Sequence, residues 1–329
     1  MKTVLSGIRS TGHLHLGNYF GALKNFTQLQ HKANCFFFIA DLHSLTTHPK
    51  PEDNRKNIKI ILSEYLASGL DPEQSVLYVQ SSVPEISELY ALLNMLAYKG
   101  ELERTASFKD KVRKHPENVN AGLLTYPVLM SADILIHRAQ WVPVGKDQEQ
   151  HLEIARVLAR RFNNMYKRPV FPEPQAYNFG EDLVKIPGLD GTGKMGKSEG
   201  NGIYLIDDEK TIRKKVMRAV TDSGPTEPNS PMSPGTANLF DLLSVVSKPD
   251  VVSFFKEQYD NCTIRYGDLK KQLAEDIARH TLPIKARIEE IYNNEPYLKQ
   301  VVEQGAEKAR QSARATMKEV RDAMGINVF

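Results

Sequence analysis

Apolar positions along this chain recur with two periods, and the two alternate. Thr3-Val4-Leu5 is a short apolar, β-branched run, the pattern of a buried strand. Gly7, Ser10, Thr11 and Gly12 then form a turn-rich stretch that cannot extend it. From Leu16 the spacing becomes helical and predicts a helix to about His31, with Leu16, Phe20, Leu23, Phe26 and Leu29 on or near one face. Residues 34–41 are a continuous apolar run ending in Asp41, which predicts a strand buried on both faces. An amphipathic helix follows over 51–70, with Gly69 and Pro72 as its stop. A strand is predicted at 75–80, an apolar helix over 84–98, another within 122–138, a short strand at 141–145 and a helix over 148–165. Alternation of this kind defines an α/β class, a Rossmann-like parallel sheet with right-handed crossovers. Ligands on such sheets sit beyond the strand C-termini, which places residues 5–18, 41–43, 80–84 and 144–148 at one edge.

From Lys210 onward the pattern is almost wholly helical, with helices predicted at 208–220, 236–246, 249–258, 265–292 and 296–324. Two irregular stretches separate or interrupt the halves: the glycine-rich run from Ile186 to Asn201, and residues 222–235 with four prolines and two glycines. The predicted organisation is therefore a sheet domain over 1–188, a mobile loop over 189–201, an α-helical domain over 202–304, and a C-terminal helix over 305–329 that packs back on the sheet domain. Composition changes this picture little. The chain of 329 residues is 41% hydrophobic and 25% charged, with a net charge of +3, which permits a polyanionic partner without demanding one. Neither a signal-peptide pattern nor a run approaching a membrane span is present, so a cytoplasmic protein is expected. Cys35 and Cys262 are too few for an iron–sulfur or structural zinc site and read as reduced thiols.

The chemistry concentrates in two stretches. A strand, a glycine-bearing loop and a helix start make an anion or nucleotide site, because free backbone N–H groups and the helix dipole point outward there. At the first turn of that helix lies His15-x-Gly17-Asn18: Gly17 leaves room for a flat base, and His15 and Asn18 offer hydrogen bonds to phosphate oxygens. His13 and His15 read equally well as plain polarity at a helix start, and as metal ligands they have only each other nearby. The second stretch, Gly188-x-x-x-x-Gly193-Lys194, falls one residue short of a P-loop, since Met195 stands where a hydroxyl should ligate Mg²⁺. What remains is Lys194-Met195-Gly196-Lys197-Ser198, two ammonium groups three residues apart on a flexible loop. Such a loop can close over a triphosphate and neutralise leaving pyrophosphate; a solvated basic linker is the other reading.

Taken together, His15-Leu16-Gly17-Asn18 resembles the HIGH signature of class I aminoacyl-tRNA synthetases, and Lys194-Met195-Gly196-Lys197-Ser198 resembles their KMSKS signature. Over nearly the whole length the chain is similar to the bacterial tryptophanyl-tRNA synthetase family. The stretches that carry this include Gly17-Asn18-Tyr19-x-Gly21-Ala22, Gly100-Glu101-Leu102-Glu103-Arg104, Ala121 to Pro127, Met130-x-Ala132-Asp133-Ile134-Leu135, Val142-Pro143-Val144-Gly145-x-Asp147-Gln148-x-Gln150-His151 and Ala219-Val220-Thr221-Asp222-Ser223. The resemblance implies a ligase that condenses L-tryptophan with ATP and Mg²⁺ to tryptophanyl-adenylate, then passes the aminoacyl group to the 3′ end of tRNA(Trp).

It also implies site residues. Asp133 matches the acceptor of the indole N–H, with Met130 and Val144 lining the indole slot, Leu5 and Gly7 at its floor, Tyr126 and Gln148 at the substrate ammonium, and His43 in the pocket. For ATP the matching residues are Arg9, Ser10, Thr11, Gly17 and Asn18 from the first loop, Gly145, Lys146 and Asp147 from the fourth, and Ile186, Lys194, Met195, Gly196, Lys197 and Ser198 from the lysine loop. His15, Asn18, Lys111, Lys194 and Lys197 are the implied catalytic set, acting by position and charge on the phosphates, with Mg²⁺ carried by ATP rather than by a protein metal site. Lys210, Arg213, Lys214 and Arg218, and Arg310, Arg314 and Arg321, form helical stripes suited to tRNA phosphates or to plain solvation. A homodimer is implied, with the apolar helix from Ile86 to Leu96 as a contact or as core. Departures from the family pattern are Gly196 for the middle serine of the loop, Arg9 for a glutamine, Ser107 for a glutamine, Lys146 for a glutamate and Leu5 for an aromatic residue. Tyrosyl-tRNA synthetases share both signatures, and a nucleotide-binding module with an inert lysine loop is the non-enzymatic alternative.

Overall fold

The computed structural model describes residues 1–114, 116–145, 148–177, 179, 186–197 and 199–327. Five strands, β1 (Thr3–Arg9), β2 (Asn34–Ala40), β3 (Ser75–Val79), β4 (Trp141–Pro143) and β5 (Gln175–Tyr177), form one sheet in the order β3-β2-β1-β4-β5. Every pairing is parallel, with Thr3 opposite Asn34 and Arg9 opposite Ala40 along β1 and β2. Strand order reverses direction at β1, which opens a crevice between the C-terminal ends of β1 and β4. β5 has no counterpart in the sequence expectations: three residues, mostly exposed, carry no apolar run to find.

Strand alternation sorts the apolar residues between two cores. Val4, Cys35, Phe37, Ile39 and Leu77 point to one face, while Leu5, Phe36, Phe38, Ala40, Tyr78 and Val142 point to the other. With both faces covered, β2 needs no polar positions, hence its continuous apolar sequence. On the first face lie α1 (residues 16–29) and α2 (Pro51–Ala67). The middle of α1, Tyr19–Leu23, is wound as a π-helix, a local widening that the helical period of the sequence does not announce. On the second face lie α3 (Pro84–Asn94), α5 (Tyr126–Ile136) and α6 (Glu149–Tyr166), with α4 (Ala106–Lys114) between α3 and α5 in sequence. The single helix expected within 122–138 is two, because Pro127 starts a new one at its first turn.

Later helices continue the first core rather than building a separate one. In α7 (Glu209–Met217), α8 (Pro234–Val246), α9 (Pro249–Asp260) and α10 (Tyr266–Asn293), residues such as Ile212, Val216, Leu239, Leu243, Leu269 and Ile277 join the cluster that covers β1 and β2. Asp208 and Ser233 cap α7 and α8 by accepting the Thr211 and Thr236 N–H groups. Lys210, Arg213, Lys214 and Arg218 are all exposed. The α11 helix (Glu295–Met324) wraps the β3 edge: Leu298 and Val301 belong to the first core, Ala309, Ala313, Met317 and Val320 to the second. Its arginine stripe is spent on this docking, with Arg310 Nε 2.7 Å from the Ser82 carbonyl, Arg314 Nε 3.1 Å from Glu85 and Arg321 Nε 2.7 Å from Glu88. His137, fully desolvated and held neutral with its pKa pushed down to about 3, bridges Tyr78 Oη and Ser312 Oγ at 3.1 Å each.

At the crossing point α11 touches the strand backbone through Gly305, where a Cβ would lie 1.7 Å from the Leu77 carbonyl oxygen. No rotamer relieves that clash, so Gly305→Ala must push α11 off β3. The expected cost is at least about 2 kcal/mol, seen as a fall of several degrees in melting temperature. An unchanged melting curve would contradict this packing.

Candidate active site

One cavity of about 510 Å³ opens at the crevice between β1 and β4. Leu5, Gly7, Arg9 and Thr11 line it from β1 and the following loop, Asn18 from α1, His43 from the turn after β2, Tyr126, Met130 and Asp133 from α5, Val144, Gly145 and Gln148 from the segment after β4, and Lys197 from the glycine-rich loop. Gly7 is required at the floor, because a Cβ there would meet the Phe38 ring at 2.5 Å. The cavity has an apolar end and a cationic end.

Asp133 anchors the apolar end. It is fully buried on α5, and its two oxygens accept from different donors: Gln80 Nε2 to Oδ1 at 2.7 Å, and His43 Nε2 to Oδ2 at 2.8 Å. Burial pushes this carboxyl above the usual carboxylate range, and the bonds from His43 and Gln80 pull it back. Two oxygens offer about four lone-pair sites, so two bonds leave room for a third donor from the cavity. Gln80 was not foreseen from sequence. It is fully buried, and its Oε1 accepts the Leu42 N–H at 3.1 Å and the His43 N–H at 3.4 Å, so one amide orients both His43 and Asp133. Tyr126 packs beside His43 with ring centroids 4.4 Å apart. Gln148 Oε1 lies 2.8 Å from His151 Nδ1, and His151 Nε2 lies 2.6 Å from Ser107 Oγ, so a histidine links Ser107 to Gln148.

Arg9 and Lys197 supply the cations of the lining, and Lys111 stands behind them without lining the cavity itself. Arg9 Nε and Nη2 are buried and meet no hydrogen-bond acceptor among the described residues, which leaves donors aimed at an anion. Lys111 Nζ stands 4.5 Å over the Tyr126 ring; burial, then Arg9, lowers its pKa. Lys197 Nζ donates to the Gly12 carbonyl at 2.8 Å. Burial, opposed by Glu64 and helped by Arg9, brings its pKa down to about 8. Anion binding would satisfy the whole group at once.

The signature turn is a capping box. The Asn18 N–H donates to His15 Nδ1 at 3.3 Å, and the His15 N–H donates to Asn18 Oδ1 at 3.1 Å. With Nδ1 accepting, the neutral ring carries its hydrogen on Nε2. Burial, then Lys197 and Lys194, brings the His15 pKa down to about 4. Gly17 lies flat under this ring, since a Cβ would sit 2.8 Å from it.

The lysine loop folds onto the same turn. Leu16 N–H donates to the Ile203 carbonyl and Leu205 N–H to the Leu14 carbonyl, both at 2.9 Å, so the segment that follows the lysine loop is stitched to the first signature turn by main chain. Met195 N–H bonds the Ile186 carbonyl at 3.0 Å, Gly196 N–H bonds Asn201 Oδ1 at 3.0 Å, and the Met195 side chain is buried against Gly202. Ile186, Met195 and Gly196 therefore do not line the cavity, and Lys194 is exposed on the loop. Ser10 turns elsewhere as well: its hydroxyl bonds Ser44 Oγ at 3.0 Å and Asn54 Oδ1 at 2.8 Å, beside a separate cavity. Lys146, Asp147 and Ser198 lie outside the described residues.

A parallel sheet with an aromatic-sized slot, a buried acceptor and a cationic mouth at its switch point defines a nucleotide-using α/β enzyme. Residues 1–281 match the family model described as tRNA synthetases class I (W and Y), and the chain belongs to that family. It is 62% identical over 325 residues to a tryptophan–tRNA ligase of Porphyromonas gingivalis, covering 99% of each chain. It is 42% identical to one of Clostridium tetani, covering 98% of this chain and 96% of the relative. Among solved structures, the tryptophanyl-tRNA synthetase of Campylobacter jejuni complexed with ADP and tryptophan superposes with a TM-score of 0.88 at 36% identity, over 98% of this chain and 99% of that one. A tyrosyl-tRNA synthetase of Archaeoglobus fulgidus, with a TM-score of 0.67 at 18% identity over 87% of this chain and 90% of that one, shares the fold.

The neutral His15 cap has a consequence for stability. Its folded pKa of about 4 lies below the ordinary 6.5, so between these values the unfolded chain binds a proton that the folded chain refuses. The cap's contribution is complete above pH 6.5 and is lost as pH falls toward 4. Melting temperature should therefore fall on acidification, and His15→Asn, which keeps an N-cap side chain, should flatten the slope. Parallel slopes for the two proteins would contradict the assignment.

Proposed function

We propose that this cavity carries out tryptophan activation with the residues placed as follows. The chain's activity is that of a tryptophan–tRNA ligase, an aminoacyl-tRNA synthetase of class I, as its family and its full-length identity to such ligases support. The observation that carries the reading is the juxtaposition, in one cavity, of the buried Asp133 acceptor and the cations Arg9 and Lys197. An indole nitrogen only donates, and Asp133 only accepts, so the pair selects tryptophan over rings without an N–H. Leu5, Gly7, Met130 and Val144 enclose the ring, while Tyr126 and Gln148 sit where its ammonium would lie.

ATP would lie along Arg9, Thr11, Gly17, Asn18 and Gly145, with Mg²⁺ entering on its phosphates. The substrate carboxylate oxygen attacks the α-phosphorus; that O–P bond forms as the bond from the α-phosphorus to the bridging oxygen breaks, and pyrophosphate leaves with the electron pair. Lys111, Lys194 and Lys197 neutralise the leaving charge, and neutral His15 offers its Nε2–H. Catalysis is then position and charge, with no side-chain nucleophile. In the second step a 3′-terminal ribose hydroxyl of tRNA(Trp) attacks the acyl carbon, its proton leaves with the AMP phosphate, and AMP departs. The exposed cations of α7 suit the tRNA backbone. Met95 and Tyr98, both largely exposed at the end of the otherwise buried α3 face, suit contact with a second copy in a homodimer.

Amino-acid-dependent ATP–pyrophosphate exchange tests this reading, with tryptophan and tyrosine compared side by side. Exchange should require tryptophan, and exchange driven by tyrosine would overturn the substrate. Asp133→Asn should lower kcat/KM for tryptophan on the order of 10- to 100-fold, since it removes a charged acceptor. An unchanged preference among aromatic amino acids would remove Asp133 from selection.

A further inference from the structure

The signature turn rests on a carboxylate that the activation chemistry does not use. Glu64 lies near the end of α2, fully buried, in the apolar run Ile60, Ile61, Leu62, Tyr65 and Leu66. Its Oε2 accepts the Leu14 N–H at 2.9 Å, and its Oε1 lies 2.7 Å from His13 Nδ1. A buried charge of this kind is costly, and a leucine would satisfy the packing of such a helix. On the far side of the turn the Gly12 carbonyl receives Lys197 Nζ at 2.8 Å.

Several titratable groups act here. Glu64, from α2, favours the Lys197 cation, and Arg9, from the end of β1, disfavours it. Burial, then Lys197 and Lys194, disfavours charge on His15; burial also raises the Glu64 pKa, against which the bonds from His13 and the Leu14 N–H and the Lys197 charge all act. The residue before Lys197 is Gly196, which has no side chain to restrain the loop backbone.

We propose that Glu64 is a positioning residue for the activation step: it fixes the turn through His13 and the Leu14 N–H, and its charge holds the Lys197 ammonium seated and protonated beside the phosphate site. This rests on the reading of Lys197 as a phosphate contact. Glu64→Gln is nearly isosteric and keeps an acceptor for Leu14, so it removes mainly the charge.

The test is a double-mutant cycle of Glu64→Gln and Lys197→Ala, read by pyrophosphate exchange. Glu64→Gln alone should lower kcat/KM for ATP about tenfold, leave the KM for tryptophan unchanged, and move the alkaline limb of the ATP kcat/KM profile down by on the order of half a pH unit. In the Lys197→Ala background the same substitution should cost at most about twofold more, because the group it acts through is gone. Losses that multiply, with an unmoved alkaline limb, would reduce Glu64 to a packing role and overturn the proposal. A Lys197→Ala protein with normal exchange would instead fail the phosphate reading itself, and that is visible in the single variant. Should Glu64→Gln not fold, His13→Leu removes one of the two bonds that fix the carboxylate beneath the turn. It should then raise the KM for ATP several-fold and leave the KM for tryptophan unchanged, and an unchanged KM for ATP would overturn the proposal.

Discussion

A carboxylate with no access to water must be surrounded by donors, and meeting that demand at Asp133 ties three elements of this protein together. Gln80 reaches it from the end of β3, His43 from the turn after β2, and Asp133 itself rides on α5. The same glutamine accepts the N–H groups of Leu42 and His43, so the strand ends, the turn and the helix cannot shift independently. The sheet supplies the reason for the location. With both faces covered by apolar residues, these polar groups gather at the C-terminal edge of the sheet, and β1 is where that edge divides.

Against that acceptor end stands a group of cations that destabilise one another. Burial first, and then Arg9, lowers the pKa of both Lys111 and Lys197, and burial with the two loop lysines suppresses charge on His15. Such a cluster is poised for a polyanion, since each ammonium becomes easier to charge once phosphate arrives. His15 staying neutral fits the same logic: a further cation would add repulsion, whereas a capped neutral ring still donates from Nε2 and still closes the first turn of α1. The first signature turn and the segment that follows the lysine loop, far apart in sequence, are held together by main-chain bonds between residues 14–16 and 203–205, and Lys197 itself reaches back to the Gly12 carbonyl.

Much of this was legible in the sequence, and the illegible parts share a cause. β1, β2 and β3 announced themselves as apolar runs because both faces are buried, and the helical second half by its period. β5 did not, being three mostly exposed residues held by pairing with β4. The π-turn in α1 and the break at Pro127 are local choices that a helical period averages over. The arginine stripe of α11 was visible as a face, but periodicity says nothing about what a face meets; it meets Ser82, Glu85 and Glu88. Leu5, Gly7, Arg9, His43, Tyr126, Met130, Asp133, Val144, Gln148 and Lys197 do line one cavity. Gln80 and Glu64 were missed because a buried polar residue has no pattern of its own. The one available signal was Glu64 standing inside the apolar run of α2.

The central claim is that a fully buried acceptor reads a single N–H. The most direct measurement offers the unmodified protein tryptophan and its benzothiophene analogue, which has the same shape with sulfur in place of the N–H, in pyrophosphate exchange. The analogue's kcat/KM should fall by at least about 100-fold, because Asp133 is left with an unmet acceptor against sulfur. Rates within a few-fold of each other would mean that the slot recognises shape alone, and that Asp133 is held by His43 and Gln80 for the fold and not for the substrate.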